Sequence, residues 1–205
     1  FLSPKRTVKR HHQLSSHCPK EMKILLIIPS IYNDTGKCRS ASPPLSLLYL
    51  AGYLEKNGYL DTKVIDTDAL KLRSQEIGEL FLKEKPDIIG TGGAAIALPA
   101  IIKTAKIAKE ILPNCLIIAG GFGPTNEPEK VLRTQLVDFV VVGEGEETLL
   151  ELVKAWEVNQ CKSPDDIKGI AFINQAGEFV LTEKRGYIKD LDSLPLPAFH
   201  LLTPE

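Results

Sequence analysis

Two kinds of segment alternate along this chain, and this alternation limits the folds that it can adopt. Short apolar runs rich in β-branched residues are separated by longer stretches in which apolar residues recur at helical spacing. That pattern predicts βαβ units and a parallel α/β sheet. The runs are nearly all apolar, so we expect helices on both faces of the sheet. Five strands are predicted, at residues 23–28, 62–66, 87–91, 115–119 and 138–142.

The helical stretches between these strands complete a doubly wound unit. They are predicted at residues 45–57, 74–85, 98–112, 127–135 and 146–156. Because crossovers between parallel strands are right-handed, we expect the flavodoxin-like strand order 2-1-3-4-5. A ligand of such a sheet binds at the carboxyl ends of the strands, beside the point where the strand order reverses.

The pattern changes after Trp156. Residues 169–173 and 179–182 flank Asn174-Gln175-Ala176-Gly177, which predicts a β-hairpin after the five-stranded sheet. Closely spaced prolines in residues 188–197 then favour an extended linker. We therefore divide the chain into an upstream segment (1–21), a doubly wound domain (22–158) and a hairpin with its linker (159–205).

The upstream segment is basic and has almost no apolar periodicity, so we expect it to be disordered. The chain has one methionine, Met22, directly before the first predicted strand. Translation that naturally begins there would make residues 1–21 extraneous, and a transit peptide is the alternative. His11 and His12 could hold a metal ion, but a solvated run of charge is the simpler interpretation.

Composition excludes several classes of function. A formal net charge of -1 gives no support to nucleic-acid binding. The longest apolar runs are far shorter than the ~20 residues that span a bilayer. The four cysteines, Cys18, Cys38, Cys115 and Cys161, lack the close spacing of zinc or iron–sulfur sites. They are expected to be idle thiols in a reducing, cytoplasmic setting.

Glycine-rich loops follow strands three, four and five. After strand four, Gly120, Gly121 and Gly123 allow a ligand to approach the backbone closely, although they could also serve only to turn the chain out of the sheet. After strand three, the small residues Thr91, Gly92 and Gly93 would leave room for a bulky group.

The loop after strand five contains Gly143, Glu144 and Gly145, and Glu144 is the best candidate there to contact a ligand. Glu146 and Glu147 could instead cap the helix that follows. A GxGxxG nucleotide fingerprint does not follow the first strand, and residues 29–44 form a long loop there.

Four stretches in register resemble the amino-terminal cobalamin-binding domain of the cobalamin-dependent radical S-adenosylmethionine enzymes, over residues 22–205. They are PPLSLLYLA at 43–51, GGFGP at 120–124, GEGEET at 143–148 and DLDSLPLPA at 190–198. The resemblance implies that cobalamin lies against the loops after strands three, four and five. The implied contacts are Thr91, Gly92, Gly93, Gly120, Gly121, Gly123, Gly143, Glu144 and Gly145.

The same resemblance implies what the chain leaves to another domain. In that family the linker leads to a radical domain, where a CxxxCxxC motif binds a 4Fe-4S cluster that acts with S-adenosylmethionine. This sequence has no such motif, so we expect the fragment to bind and the full-length enzyme to transfer methyl groups or rearrange a carbon centre. The DxHxxG signature is absent too, which implies cobalamin bound base-off without a histidine ligand.

Two alternatives remain. A degenerate member of the superfamily could keep the fold as a scaffold or substrate platform and bind no corrin. A response-regulator-like signalling domain is disfavoured, because the first strand lacks the acidic cluster and phosphoacceptor aspartate that such domains need. Metal ligands and catalytic residues are not assigned, and His200, alone in the linker, is expected to be structural.

Overall fold

One seven-stranded sheet organises the chain. The structure is a computed structural model that describes residues 22–29, 42–162 and 164–202. The predictions for residues 1–21, for Cys18 and Cys38, and for most of the 29–44 loop lie outside these ranges. The strands are β1 (Ile24–Ile28), β2 (Thr62–Asp66), β3 (Ile88–Gly92), β4 (Leu116–Gly120), β5 (Phe139–Val141), β6 (Ile170–Ile173) and β7 (Phe179–Leu181).

The strand order is β2-β1-β3-β4-β5-β6-β7. The first five strands are parallel, and their neighbours are those of the predicted order. The prediction of a five-stranded sheet was wrong, because the hairpin β6–β7 continues the same sheet. β6 pairs antiparallel with β5, placing Ala171 opposite Val140.

Backbone pairing explains this extension of the sheet. Without the hairpin, β5 would be an edge strand with unpaired N–H and C=O groups. An isolated two-stranded hairpin is itself marginally stable in water. Pairing the hairpin with β5 satisfies the backbone groups of that strand and stabilises the hairpin. The predicted boundary between residues 158 and 159 stays a prediction, although hydrogen bonds of the sheet cross it.

Four long helices begin at the predicted residues and cover both faces of the sheet. They are α1 (Leu45–Lys56), α2 (Ser74–Glu84), α3 (Leu98–Ile111) and α6 (Glu146–Asn159). α1 and α6 pack on one face, where Leu48 and Leu152 are fully buried. α2 and α3 pack on the other face with Phe81 and Ile101. The apolar strands are therefore covered on both sides, as predicted.

The helix predicted at 127–135 is shorter in the structure. Two five-residue helices, α4 (Phe122–Asn126) and α5 (Pro128–Leu132), occupy this part of the chain. Pro128 disfavours helical geometry at the preceding residue, and Glu127 has φ -129° and ψ 50°. Gln135 adopts a left-handed conformation with φ 60° beyond the end of α5.

The segment after the hairpin lies against the helices that cover the first face. The Arg185 guanidinium donates to Thr148 Oγ1 at 2.8 Å, and it pairs with Glu147 and Glu151 of α6. The Ala198 N–H donates to the Leu48 carbonyl of α1 at 3.0 Å. A Cβ on Gly52 would lie 2.7 Å from the Leu196 carbonyl oxygen, so α1 needs a glycine where this segment crosses it. The predicted linker at 188–197 thus has one 3-10 turn, Leu191–Ser193, and packs against α1.

Within the described ranges, no helix is long and apolar enough to cross a membrane.

Arg185→Ala should lower the free energy of unfolding by about 1–2 kcal/mol, because Thr148 and the two carboxylates lose their shared donor. Arg133 is the matched control. It also pairs with a helix carboxylate, Glu129, but its side chain is 53% exposed whereas that of Arg185 is 13% exposed. Arg133→Ala should therefore cost no more than about 0.5 kcal/mol. Urea unfolding of both variants measures the difference, and equal losses would contradict the assigned role of Arg185.

Candidate cofactor-binding site

A cavity of about 480 Å³ opens at the carboxyl ends of the parallel strands, on the face covered by α1 and α6. Its volume falls within the range of roughly 300–1,000 Å³ that is usual for ligand sites. Residues of β1, β3, β4 and β5 form one side, and residues of α1 and α6 form the other. This is the edge of the sheet where the strand order predicted a ligand.

The side formed by the sheet, which we call the floor, is hollowed by glycines. The floor residues are Leu26, Ile28, Gly90, Gly92, Ile118, Gly120 and Val141. The register places Leu26, Gly90 and Ile118 side by side. Gly92 and Gly120 are neighbours two residues nearer the carboxyl edge. Because successive strand residues face opposite sides of a sheet, these positions share one face. Three of them lack a side chain. Open space lies beside Gly120, where a Cβ would meet nothing closer than 3.7 Å, whereas a Cβ on Gly90 would lie 2.7 Å from Leu26 Cδ2.

The opposite side, which we call the wall, consists of Leu47 and Leu50 from α1 and Leu149 from α6. Leu47 and Leu149 are 5% and 3% exposed. The mouth of the cavity carries the polar lining side chains: Ser46 in the first turn of α1, Glu146 in the first turn of α6, and Glu144 in the loop before it. The cavity is therefore apolar inside and polar at its entrance.

The loops after β3 and β4 touch each other at the mouth. The Gly93 N–H donates to the Gly120 carbonyl at 3.3 Å, and the Gly123 N–H donates to the Gly93 carbonyl at 2.8 Å. Gly121 has φ 79°, and a Cβ there would lie 3.0 Å from the Gly93 nitrogen. This close approach of two backbones requires glycine.

Eight of the nine predicted site residues line the cavity. They are Thr91, Gly92, Gly93, Gly120, Gly121, Gly143, Glu144 and Gly145. Gly123 does not line it. Gly123 is buried in α4, and a Cβ there would lie 2.7 Å from the Ala94 carbonyl oxygen, so this glycine serves loop packing. Contact of any of the nine with a ligand stays a prediction.

The Thr91 side chain faces away from the cavity. Its register neighbours Ile27 and Ala119 both belong to the core under α2 and α3. Thr91 is 4% exposed, and its Oγ1 is buried with no hydrogen-bond partner among the described residues. Only the backbone side of this residue therefore borders the cavity.

Two acidic residues near the mouth, Glu144 in the loop after β5 and Glu147 in α6, have partners within the chain. Glu144 Oε2 accepts from the Ile188 N–H at 2.8 Å, and Glu147 pairs with Arg185 at 3.2 Å. Burial, and then the carboxylates of Glu147 and Glu146, raise the pKa of Tyr53 on α1. Glu144 thus anchors the segment after the hairpin beside the mouth.

Sequence reasoning predicted Gly92 and Gly120 of the floor but missed its apolar side chains and the wall. Leu26, Ile118 and Leu149 look like ordinary core residues in the sequence, since their type is the same whether they meet a cavity or another side chain. One signal was available: Gly90 interrupts an otherwise apolar strand, and glycine inside a strand often marks the close approach of another group.

The described residues assemble no group of three His, Cys, Asp or Glu side chains that could hold a metal ion. Cys115 and Cys161 are buried, and burial raises the pKa of their thiols to about 12 and about 11. Both thiols therefore stay protonated near neutral pH. His200 lies 3.0 Å from Glu55 in the last turn of α1, at the opposite end of that helix from the mouth.

Comparison with known proteins agrees with this geometry. The family model of the B12 binding domain matches residues 35–153. The anaerobic magnesium-protoporphyrin IX monomethyl ester cyclase of Cereibacter sphaeroides is 33% identical over 175 residues, which cover 84% of this chain and 28% of that protein. An uncharacterized methyltransferase of Pyrococcus horikoshii is 34% identical over 187 residues, 89% of this chain and 39% of that protein. The chain thus spans about a third of the length of these curated relatives.

Solved structures share the fold. The cobalamin-dependent S-adenosylmethionine radical enzyme OxsB with aqua-cobalamin bound has a TM-score of 0.71 at 22% identity, over 88% of this chain and 24% of that one. The radical S-adenosylmethionine methyltransferase TsrM from Kitasatospora setae has a TM-score of 0.64 at 19% identity, over 78% of this chain and 30% of that one.

The fold and the cavity define a doubly wound α/β domain with a candidate ligand cavity at its switch point. The match over more than half of the chain identifies the particular family: the chain belongs to the B12 binding domain family. The cobalamin-binding part of the resemblance is thereby confirmed, and the solved structures that share the fold include two radical S-adenosylmethionine enzymes.

Thr91→Val should raise the free energy of unfolding by about 1 kcal/mol and leave ligand binding unchanged. The reason is that valine removes a buried hydroxyl that lacks a partner, on the face away from the cavity. Urea unfolding measures the first effect and corrinoid titration the second. A loss of binding together with unchanged stability would show instead that the hydroxyl serves the site.

Proposed function

We propose that this chain binds cobalamin, with the nucleotide tail in the cavity and the corrin ring over the carboxyl edge of the sheet. The observation that carries the proposal is the apolar cavity at the switch point, which lies between the helices α1 and α6 and a floor in which three of the seven residues are glycine. Membership in the B12 binding domain family supports the choice of ligand.

The residues fit one arm of a large cofactor. A cavity of about 480 Å³ is in the lower half of the range for small-ligand sites, so the bulk of a corrin belongs outside it. Apolar side chains are exposed at this edge. Phe122 after β4 is 71% exposed and Ile96 after β3 is 65% exposed, and both could contact a ring that covers the mouth.

The proposal includes cobalamin bound base-off with no histidine in place of its base. The sequence has no histidine between residues 18 and 199. His200 pairs with Glu55 at the far end of α1 and cannot serve the mouth. A tail held in the cavity would keep its base away from cobalt.

In the parent enzyme, bound cobalamin would supply a cobalt centre that accepts and donates a methyl group or assists a carbon-centre rearrangement. The chain's own part is to bind and orient: the floor and wall exclude water from the tail, and the loops after β3, β4 and β5 fix the ring. S-adenosylmethionine and a 4Fe-4S cluster would belong to a radical domain joined in cis. The curated relatives described above, a cyclase and a methyltransferase, support this class of reaction.

Gly120→Val should abolish retention of cobalamin while the protein stays folded. A Cβ at this position meets its nearest neighbour, Val141 Cβ, at 3.7 Å, so the new side chain can enter the cavity without a backbone clash. Gly186→Val is the matched control, since a Cβ there meets nothing within 4 Å on the surface. The whole chain is mixed with hydroxocobalamin in one experiment and with reduced cobalamin in another. Unbound corrin is then removed, and the visible absorption spectrum measures the corrin that the protein retains.

A retained corrin with a base-off spectrum in the wild type and in Gly186→Val, and none in Gly120→Val, is the expected result. A base-on spectrum would overturn the base-off part of the proposal alone. No retention by the folded wild type would favour the scaffold alternative, and retention by Gly120→Val would place the ligand elsewhere.

A further inference from the structure

The interior of the cavity is uniformly apolar below its mouth. In the described lining, the floor and wall consist of glycine and aliphatic residues alone. The deepest row of the floor contains Leu26 and Ile118, which are 0% and 3% exposed, on either side of Gly90. Leu149 faces this row from α6. A group that enters this space therefore meets no side chain able to donate or accept a hydrogen bond.

The backbone beneath the floor is already used. β1 lies between β2 and β3, β3 between β1 and β4, and β4 between β3 and β5. A strand with a neighbour on each side has its N–H and C=O groups directed into the sheet, and its ladder partners satisfy them. The floor thus offers a buried ligand edge no backbone partner in the described strands.

The polar lining residues are too near the entrance to supply hydrogen bonds to a group inside the cavity. Ser46 and Glu146 lie in the first turns of α1 and α6, at the carboxyl edge. The Glu144 carboxylate accepts from the Ile188 N–H, and the Thr91 hydroxyl lies on the other face of the sheet. Polarity therefore ends at the mouth.

From this we infer that the domain selects its corrinoid by the chemistry of the lower base, preferring an apolar benzimidazole or phenolic base to a purine. This inference rests on the proposed function, since it assumes that the tail enters the cavity. The ring nitrogens and exocyclic amine of adenine would be buried without hydrogen-bond partners, and such burial is unfavourable. Base-off dimethylbenzimidazole presents methyl and ring C–H groups to the same surface and buries one free ring nitrogen, whereas adenine buries several ring nitrogens and an amine.

The test compares three corrinoids by equilibrium dialysis against the whole chain. They are cobalamin, the cobamide with adenine as lower base, and the cobamide with p-cresol. The cresolyl base cannot coordinate cobalt, so its binding includes no cost of detaching the base. The adenine cobamide should bind about 10- to 100-fold more weakly than the cresolyl cobamide.

Ile118→Thr should lower the ratio of cresolyl to adenine cobamide affinity by about three- to tenfold, because it places a hydroxyl in the deepest row of the floor. Two controls accompany it. Ile118→Val shortens the same side chain without adding polarity, and Ile117→Thr adds a hydroxyl to the same strand on the opposite face, where Ile117 is fully buried. Both controls should keep the wild-type ratio.

The outcomes separate this inference from the proposal beneath it. Equal affinity for the adenine and cresolyl cobamides would overturn the selectivity while leaving cobalamin binding intact. An equal change of this affinity ratio in Ile118→Thr and Ile117→Thr would also overturn the inferred selectivity, because the selectivity would then not come from contact between the floor and the lower base. If the folded chain binds none of the three corrinoids, the proposed function fails and the inference fails with it.

Discussion

The parallel pairing of β1 with both β2 and β3 is the constraint on which the rest of this structure depends. Because β1 is flanked on both sides, the chain leaves it towards one face of the sheet and leaves β3 towards the other. The connections after these strands therefore diverge at the carboxyl edge and open a crevice. In a sheet wound in one direction, the connections after β1 and β3 would run to the same face, and this crevice would not form between them.

Two glycines on one face of β3, and one on the same face of β4, keep side chains out of the floor of this crevice at three positions. Gly90, Gly92 and Gly120 share the α1/α6 face, while Ile89 and Ile117 fill the opposite one. Packing on the second face thus stays dense, and the helices there hold the sheet in shape. The core under α2 and α3 is thus fully packed, whereas the core under α1 and α6 contains an apolar cavity.

Sequence reasoning predicted most of the fold because its signals are local. Apolar runs, helical spacing and the glycines after β3, β4 and β5 each identify an element or loop from a few adjacent residues. The strand count was wrong because a hairpin has the same sequence pattern whether it stands alone or extends β5. The cavity lining was missed for a similar reason: Leu26 and Ile118 are core residues by every local measure, and only the register across three strands shows that glycine lies between them.

The segment after β7 determines how firmly the two sides of the cavity are held together. Arg185 binds α6 through Thr148 and two carboxylates, and Ala198 and Ser193 bind α1 through Leu48 and Lys56. The same segment reaches the mouth, where the Ile188 N–H donates a hydrogen bond to the Glu144 carboxylate. One stretch of chain thus contacts both wall helices and the loop between β5 and α6. A site held in this way requires little reordering when a ligand enters, and such preorganisation favours tight binding.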